Sequence, residues 1–158
     1  MFSQTVEYAL RAMACLALEP EERTSSSALA ERTQVPSDYL AKVLQQLAGA
    51  GLIEGRRGVG GGYKLSRSPE EINLLDVINA VEPLQRITSC PLNLESHGPN
   101  LCPLHRRVDR AIKQVIEVFE GSTLRDLLSG DAGDEWVSVP LCDKRQAVAL
   151  TVNVAKKG

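Results

Sequence analysis

The chain has 158 residues, is 43% apolar with only 4% aromatics, and carries a formal net charge of -2. This length suits one domain with an appendage, and the apolar fraction supports a packed core and argues against wholesale disorder. The charge excludes a globally basic nucleic-acid binder, so any DNA-binding face must be a local patch.

Residues 3–18 place Val6, Leu10, Met13, Ala14, Ala17 and Leu18 at helical spacing, which predicts a helix with one buried stripe ended by Pro20. The stretch SSSALAERTQV predicts a short second helix capped by Ser26 or Ser27, with Leu29 inward and Pro36 breaking the chain. Ser37 then reads as the cap of a third helix, DYLAKVLQQLAGAG. Its apolar face is Leu40, Val43, Leu44 and Leu47, and Gly49 and Gly51 stop it. Two short helices around a Val35-Pro36 turn read as a helix-turn-helix.

LIEGRR and YKLSRS, separated by GVGGG, predict two short strands joined by a tight turn, a β-wing attached to the helix pair. From residue 31 to 67 the cations are Arg32, Lys42, Arg56, Arg57, Lys64 and Arg67, against Glu31, Asp38 and Glu54. This local basic excess suits backbone phosphates, and the Gly-rich tip allows close approach to a groove. A small helical unit with a Gly-rich hairpin is the bland alternative.

PEEINLLDVINAVEP predicts a fourth helix beginning at Pro69, with Leu74, Val77, Ile78 and Val81 buried. After a loop, PLHRRVDRAIKQVIEVFEG predicts a long helix with an apolar band too wide for a small domain to cover; a second copy is the economical cover. A last short helix, STLRDLL, follows a Gly121 stop and is capped by Ser122 or Thr123. Residues 130–158 suggest a weak hairpin or a partly ordered tail. The expected architecture is mainly α with a small β-wing: a winged helix-turn-helix domain plus a long dimerisation helix. Its parts are a DNA-binding domain at 1–82, a cysteine loop at 83–102, the dimerisation and short helices at 103–129, and the tail.

Four Cys without a secretory leader point to a reducing, cytoplasmic setting. The run after Arg11 is too short, and too close to Glu7, for a signal core. No window approaches the roughly 20 apolar residues of a membrane span. Cys15, on a helix among alanines, reads as a core residue. The stretch CPLNLESHGPNLCPLHRR is different, because it sets Cys90, His97, Cys102 and His105 within sixteen residues. No phosphate loop, nucleophile elbow or paired-carboxylate pocket sequence argues for an enzyme.

The motifs VEYALRAM, VPSDYLAKVLQQLAGAGLI, RRGVGGGYKLSR and TLRDLL resemble those of the winged-helix bacterial regulators that include IscR, NsrR, CymR and RirA. The resemblance covers the chain to about residue 128. It implies a homodimeric regulator, in many relatives a repressor, that binds a palindromic operator in double-stranded DNA. It assigns the wing contact to Arg57, beside Arg56, and the reading positions to Ser37, Asp38 and Tyr39 with Lys42 one turn on. IscR-like members carry a cytosine-reading Glu where this chain has Ala41, which leaves the operator open. Lys42 can instead reach a guanine edge or a phosphate.

Cluster-binding relatives place three Cys at six-residue steps with a His three residues beyond, and the matching positions here are Cys90, Ser96, Cys102 and His105. The middle thiolate is missing. In NsrR-like members an Asp of the partner's first helix adds a ligand, and Glu7 matches it. The resemblance therefore implies a mixed set of Cys90, Cys102, His105 and Glu7 around a [2Fe–2S] cluster, with His97 as a competing donor. A cluster-free thiol switch between Cys90 and Cys102, and a zinc site of both cysteines and both histidines, are the alternatives. The bland reading leaves no cofactor: Glu7 is a first-turn helix charge, His105 decorates a helix start, and Cys102 packs before Pro103.

Overall fold

The structure is a computed structural model, and it describes residues 2–91 and 100–129. Among these described residues, six helices and a two-stranded antiparallel sheet follow the order α1 (Gln4–Ala17), α2 (Ser26–Thr33), α3 (Ser37–Gly49), β1 (Ile53–Arg56), β2 (Gly62–Leu65), α4 (Leu74–Val81), α5 (Pro103–Glu120), α6 (Leu124–Ser129). The mainly α architecture with a small wing is as expected.

Helix α1 is the hub. Ser3 caps it by accepting from the Val6 N–H, and α2, α3, α4, α6 and β2 all pack on it. Every residue from Ala12 to Ala17 is consequently buried, a wider face than the predicted stripe, while Leu18 stays at the surface. The small side chains of Ala9, Ala12, Ala14 and Ala17 let neighbouring helices approach closely. Around them Leu16, Leu29, Leu40, Leu44, Leu47, Ile72 and Val77 close the core.

Three helix starts differ from expectation. Ser25, rather than Ser26 or Ser27, caps α2 by accepting from Ala28 N–H at 3.2 Å. Pro36 occupies the cap position of α3, so Ser37 is its first helical residue and makes no capping bond. Helix α4 begins at Leu74 rather than Pro69, because Asn73 accepts from the Asp76 N–H at 2.8 Å and caps it there. Just before it Asn73 is extended, and backbone bonds join the two helix starts: Leu74 donates to Ser122 O at 2.8 Å, and Leu124 to Ile72 O at 2.9 Å. That bridge ties the start of α6 to the start of α4. Thr123 closes α6 with a reciprocal cap, its Oγ1 accepting from Asp126 N–H while Asp126 accepts from Thr123 N–H.

Helix α3 ends as predicted. Leu52 N–H donates to Leu47 O at 3.0 Å with Gly51 at φ +72°, the left-handed closure that glycine tolerates. The predicted hairpin within 130–158 lies outside the described residues.

Candidate DNA-reading face and sensor segment

The helix-turn-helix is α2 and α3 joined by residues 34–36, with Gln34 in the left-handed region and Val35 buried. Leu40, Val43, Leu44 and Leu47 anchor α3 from beneath. This leaves Ser37, Asp38, Tyr39 and Lys42 on the exposed face, Tyr39 being 54% exposed. Tyr39 is held on two sides. The Tyr8 ring of α1 meets it edge to face with centroids 6.2 Å apart, and Lys42 Nζ lies 5.7 Å from its ring centroid.

In the wing, Ile53 pairs with Leu65 and Arg56 with Gly62, so the turn is residues 57–61. Ile53 and Leu65 pin the base to the core, whereas Arg56 and Arg57 are exposed at the tip. The wing has a third partner that sequence patterning misses. Thr24 and Tyr63 exchange backbone hydrogen bonds of 2.9 and 2.8 Å, making a bridge alongside β2. Arg23 adds a clamp from Nη1 to Glu54 O at 3.1 Å and Gly62 O at 3.3 Å. One bridging residue leaves no periodicity, so only the coordinates reveal it. Gly55, Arg56, Arg57 and Gly62 of the wing, Ser25 and Ser26 at the start of α2, and Gln45 of α3 line one cleft of about 710 Å³. The candidate wing and helix elements therefore share a concave surface.

In the candidate sensor segment, Cys102 sits at the cap position of α5, ahead of Pro103. Its Sγ lies 3.3 Å from His105 Nδ1, three residues along the first turn. Both are partly exposed, while Cys90 is 5% exposed, and neither cysteine is in a disulfide. Glu7 is exposed on the first turn of α1. Among the described residues no three His, Cys, Asp or Glu side chains are gathered as a metal-binding group. Of the four expected donors, Cys102 and His105 are in direct contact within one chain. A thiol beside an imidazole fits half of a mixed-ligand iron–sulfur or zinc site. Completion requires Cys90 and a donor from elsewhere. His97 and Ser96 lie outside the described residues. Cys15, 1% exposed, lies in the core as expected, but it is disulfide-bonded rather than the free thiol the sequence suggested.

Helix α5 has no buried residue along its 18 positions. Leu104 at 65%, Val108 at 41% and Val118 at 63% stand exposed along it. Its near end is latched by Arg86, which donates from Nε and Nη2 to the two Asp109 carboxylate oxygens.

The pattern of the Rrf2 family, described as iron-dependent transcriptional regulator, matches residues 2–130. The chain belongs to the Rrf2 family. It is 33% identical over 129 residues to the transcriptional regulator NsrR of Halalkalibacterium halodurans, covering 79% of this chain and 88% of that one. Among solved structures it is similar to CymR (YrzC), the global cysteine regulator of B. subtilis. That likeness has a TM-score of 0.67 at 29% identity and covers 80% of this chain and 95% of CymR. It is similar also to T. potens IscR, with a TM-score of 0.67 at 28% identity over 81% and 85% of the two chains. This Rrf2 protein is a DNA-binding transcriptional regulator and not an enzyme, and the winged helix is the family's fold. Among its described residues no helix is long and apolar enough to cross a membrane.

Proposed function

We propose that this Rrf2 protein is a homodimeric repressor of the bacterial cytoplasm that binds a palindromic operator. Ser37, Asp38, Tyr39 and Lys42 read the major groove, and Arg56 and Arg57 enter the flanking minor groove. Operator binding is controlled at Cys90, Cys102 and His105, where a [2Fe–2S] cluster is completed by Glu7 of the partner subunit. When bound, the cluster supplies a redox- or iron-responsive state. The chain's own groups supply the ligands and the helix that carries the signal. Two thiols cannot fill a cluster's four terminal positions, so nitrogen and oxygen donors must finish it. The observation that carries the reading is the Cys102–His105 contact of 3.3 Å at the first turn of α5. Since α5 has an apolar row that its own chain does not bury, donors at its start sit at the edge of the candidate dimer surface. A change there shifts the spacing of two reading heads relative to half-sites one helical turn apart.

A cluster-free thiol switch between Cys90 and Cys102 is the second reading, favoured by the similarity to CymR and by the two thiols at the ends of one segment. Anaerobic purification followed by iron, zinc and acid-labile sulfide analysis separates the readings. Iron with stoichiometric sulfide, lost in Cys102→Ser, supports the cluster. Zinc without sulfide overturns it in favour of a structural metal site. With neither present, thiol titration before and after oxidant decides for or against the switch.

A further inference from the structure

We infer that Tyr8, a residue of α1 outside the helix-turn-helix, positions the Tyr39–Lys42 pair and thereby sets base preference. This deepens the DNA-reading assignment and rests on it. Tyr39 projects from the first turn of α3 with more than half of its surface exposed, so little packing from its own helix fixes its ring. An aromatic contact from outside its helix comes from Tyr8, whose ring meets it at an interplanar angle of 74° with centroids 6.2 Å apart. Tyr8 is itself partly buried and packed against the core, so it supplies a rigid seat. Lys42, three residues on from Tyr39, lies over the same ring with Nζ 5.7 Å from its centroid. Three side chains thus stand in series: a core-anchored ring, an exposed ring, and a cation on a long flexible stem.

Each link removes freedom before DNA arrives. A tyrosine held in one rotamer offers a large contact surface at low entropic cost, and a lysine held over a ring no longer samples its full rotamer set. Phosphate contacts from the wing are independent of this series, because Arg56 and Arg57 stand on another element. Tyr8 should therefore govern discrimination between sequences and leave sequence-independent affinity alone.

The test uses the full-length dimer. A preferred duplex is first selected from a randomised pool with the wild-type protein. Affinities for it and for a scrambled duplex are then measured by fluorescence anisotropy for wild type, Tyr8→Phe, Tyr8→Leu, Tyr39→Ala and the Tyr8→Leu/Tyr39→Ala double variant. Tyr8→Phe keeps the ring and should retain discrimination. Tyr8→Leu should weaken the selected duplex about 3- to 10-fold, the worth of one aromatic pair, without moving the scrambled one. That loss should vanish in the Tyr39→Ala background. Equal weakening on both duplexes, additive effects in the cycle, or unchanged discrimination in Tyr8→Leu would each overturn the inference. Should Tyr8→Leu fail to fold, Tyr8→Met replaces it under the same criteria. If wild-type protein selects no preferred duplex, the DNA-reading assignment fails and the role of Tyr8 falls with it.

Discussion

Arg86 and Asp109 form a two-pronged ion pair that fastens the chain leaving α4 to the dimer-candidate helix. Nε to Oδ1 and Nη2 to Oδ2 are each 2.6 Å, and Ile87 N–H donates to the same Oδ1 at 3.0 Å. The hydrogen bond from Arg86 is the first cause holding the Asp109 carboxyl below its ordinary range. A carboxyl depressed in the folded state contributes its stabilisation above the unfolded value and loses it as pH falls through the folded one. We expect the Ile87 amide to be protected from hydrogen exchange at neutral pH and to lose that protection in acid, below roughly pH 4. Asp109→Asn, which keeps an acceptor oxygen but no titratable charge, should weaken that protection and remove its dependence on pH. Protection that survives equally in the Asn variant would show that the latch does not depend on this carboxylate.

At the centre of the helix-turn-helix, Leu44 is fully buried beneath the candidate reading face. Leu44→Ala should destabilise the protein by about 2–5 kcal/mol, the sum of lost transfer energy and the cavity left behind. Chemical denaturation measures it. A change under 1 kcal/mol would mean that the surrounding helices collapse into the space.

Gly62 has φ +133°, and a Cβ placed there would come within 2.6 Å of Thr24 O. Gly62→Ala should therefore break the Thr24–Tyr63 bridge and cost on the order of 1–3 kcal/mol through backbone strain. Loss of affinity for duplex DNA should accompany a lowered Tm. Unaltered values of both would show that the wing accommodates the methyl group by shifting.

Arg57→Ala should weaken duplex binding about tenfold or more, the scale of a charge-assisted hydrogen bond. The slope of log affinity against log salt should also drop by about one per subunit, because one cation is removed from the minor groove and its flanking phosphates. The same affinity and slope as wild type would remove the wing from the interface.

Val108→Asp and Val118→Asp place charges in the exposed row of α5. Sedimentation of each variant should show a monomer at concentrations where the wild type is a dimer. A dimer undisturbed by both would locate the subunit contact elsewhere.

Much of this organisation is legible in the residues because it depends on local rules. Gly-rich RRGVGGGYKLSR could close only as a tight hairpin, and the spacing of Leu40, Val43, Leu44 and Leu47 fixed which face of α3 points out. The start of α4 was misjudged although Asn73 and Asp76 carry a capping signal, because Pro69 with two Glu is also a respectable helix opening. Asp109, Thr24 and Tyr8 act on partners 23, 39 and 31 positions away, separations at which spacing within one element gives no hint. The donor set was legible as chemistry, and the contact it yields within one chain is Cys102 with His105, a pair one helical turn apart.

The stitch between Thr24 and Tyr63, reinforced by Arg23, spans the chain on both sides of the helix-turn-helix. A hairpin fastened in this way has little room to flap independently of the helices it flanks. In the proposed dimer, any controlling stimulus would then have to swing each half as a solid block, so that occupancy responds to the distance and tilt between two stiff jaws.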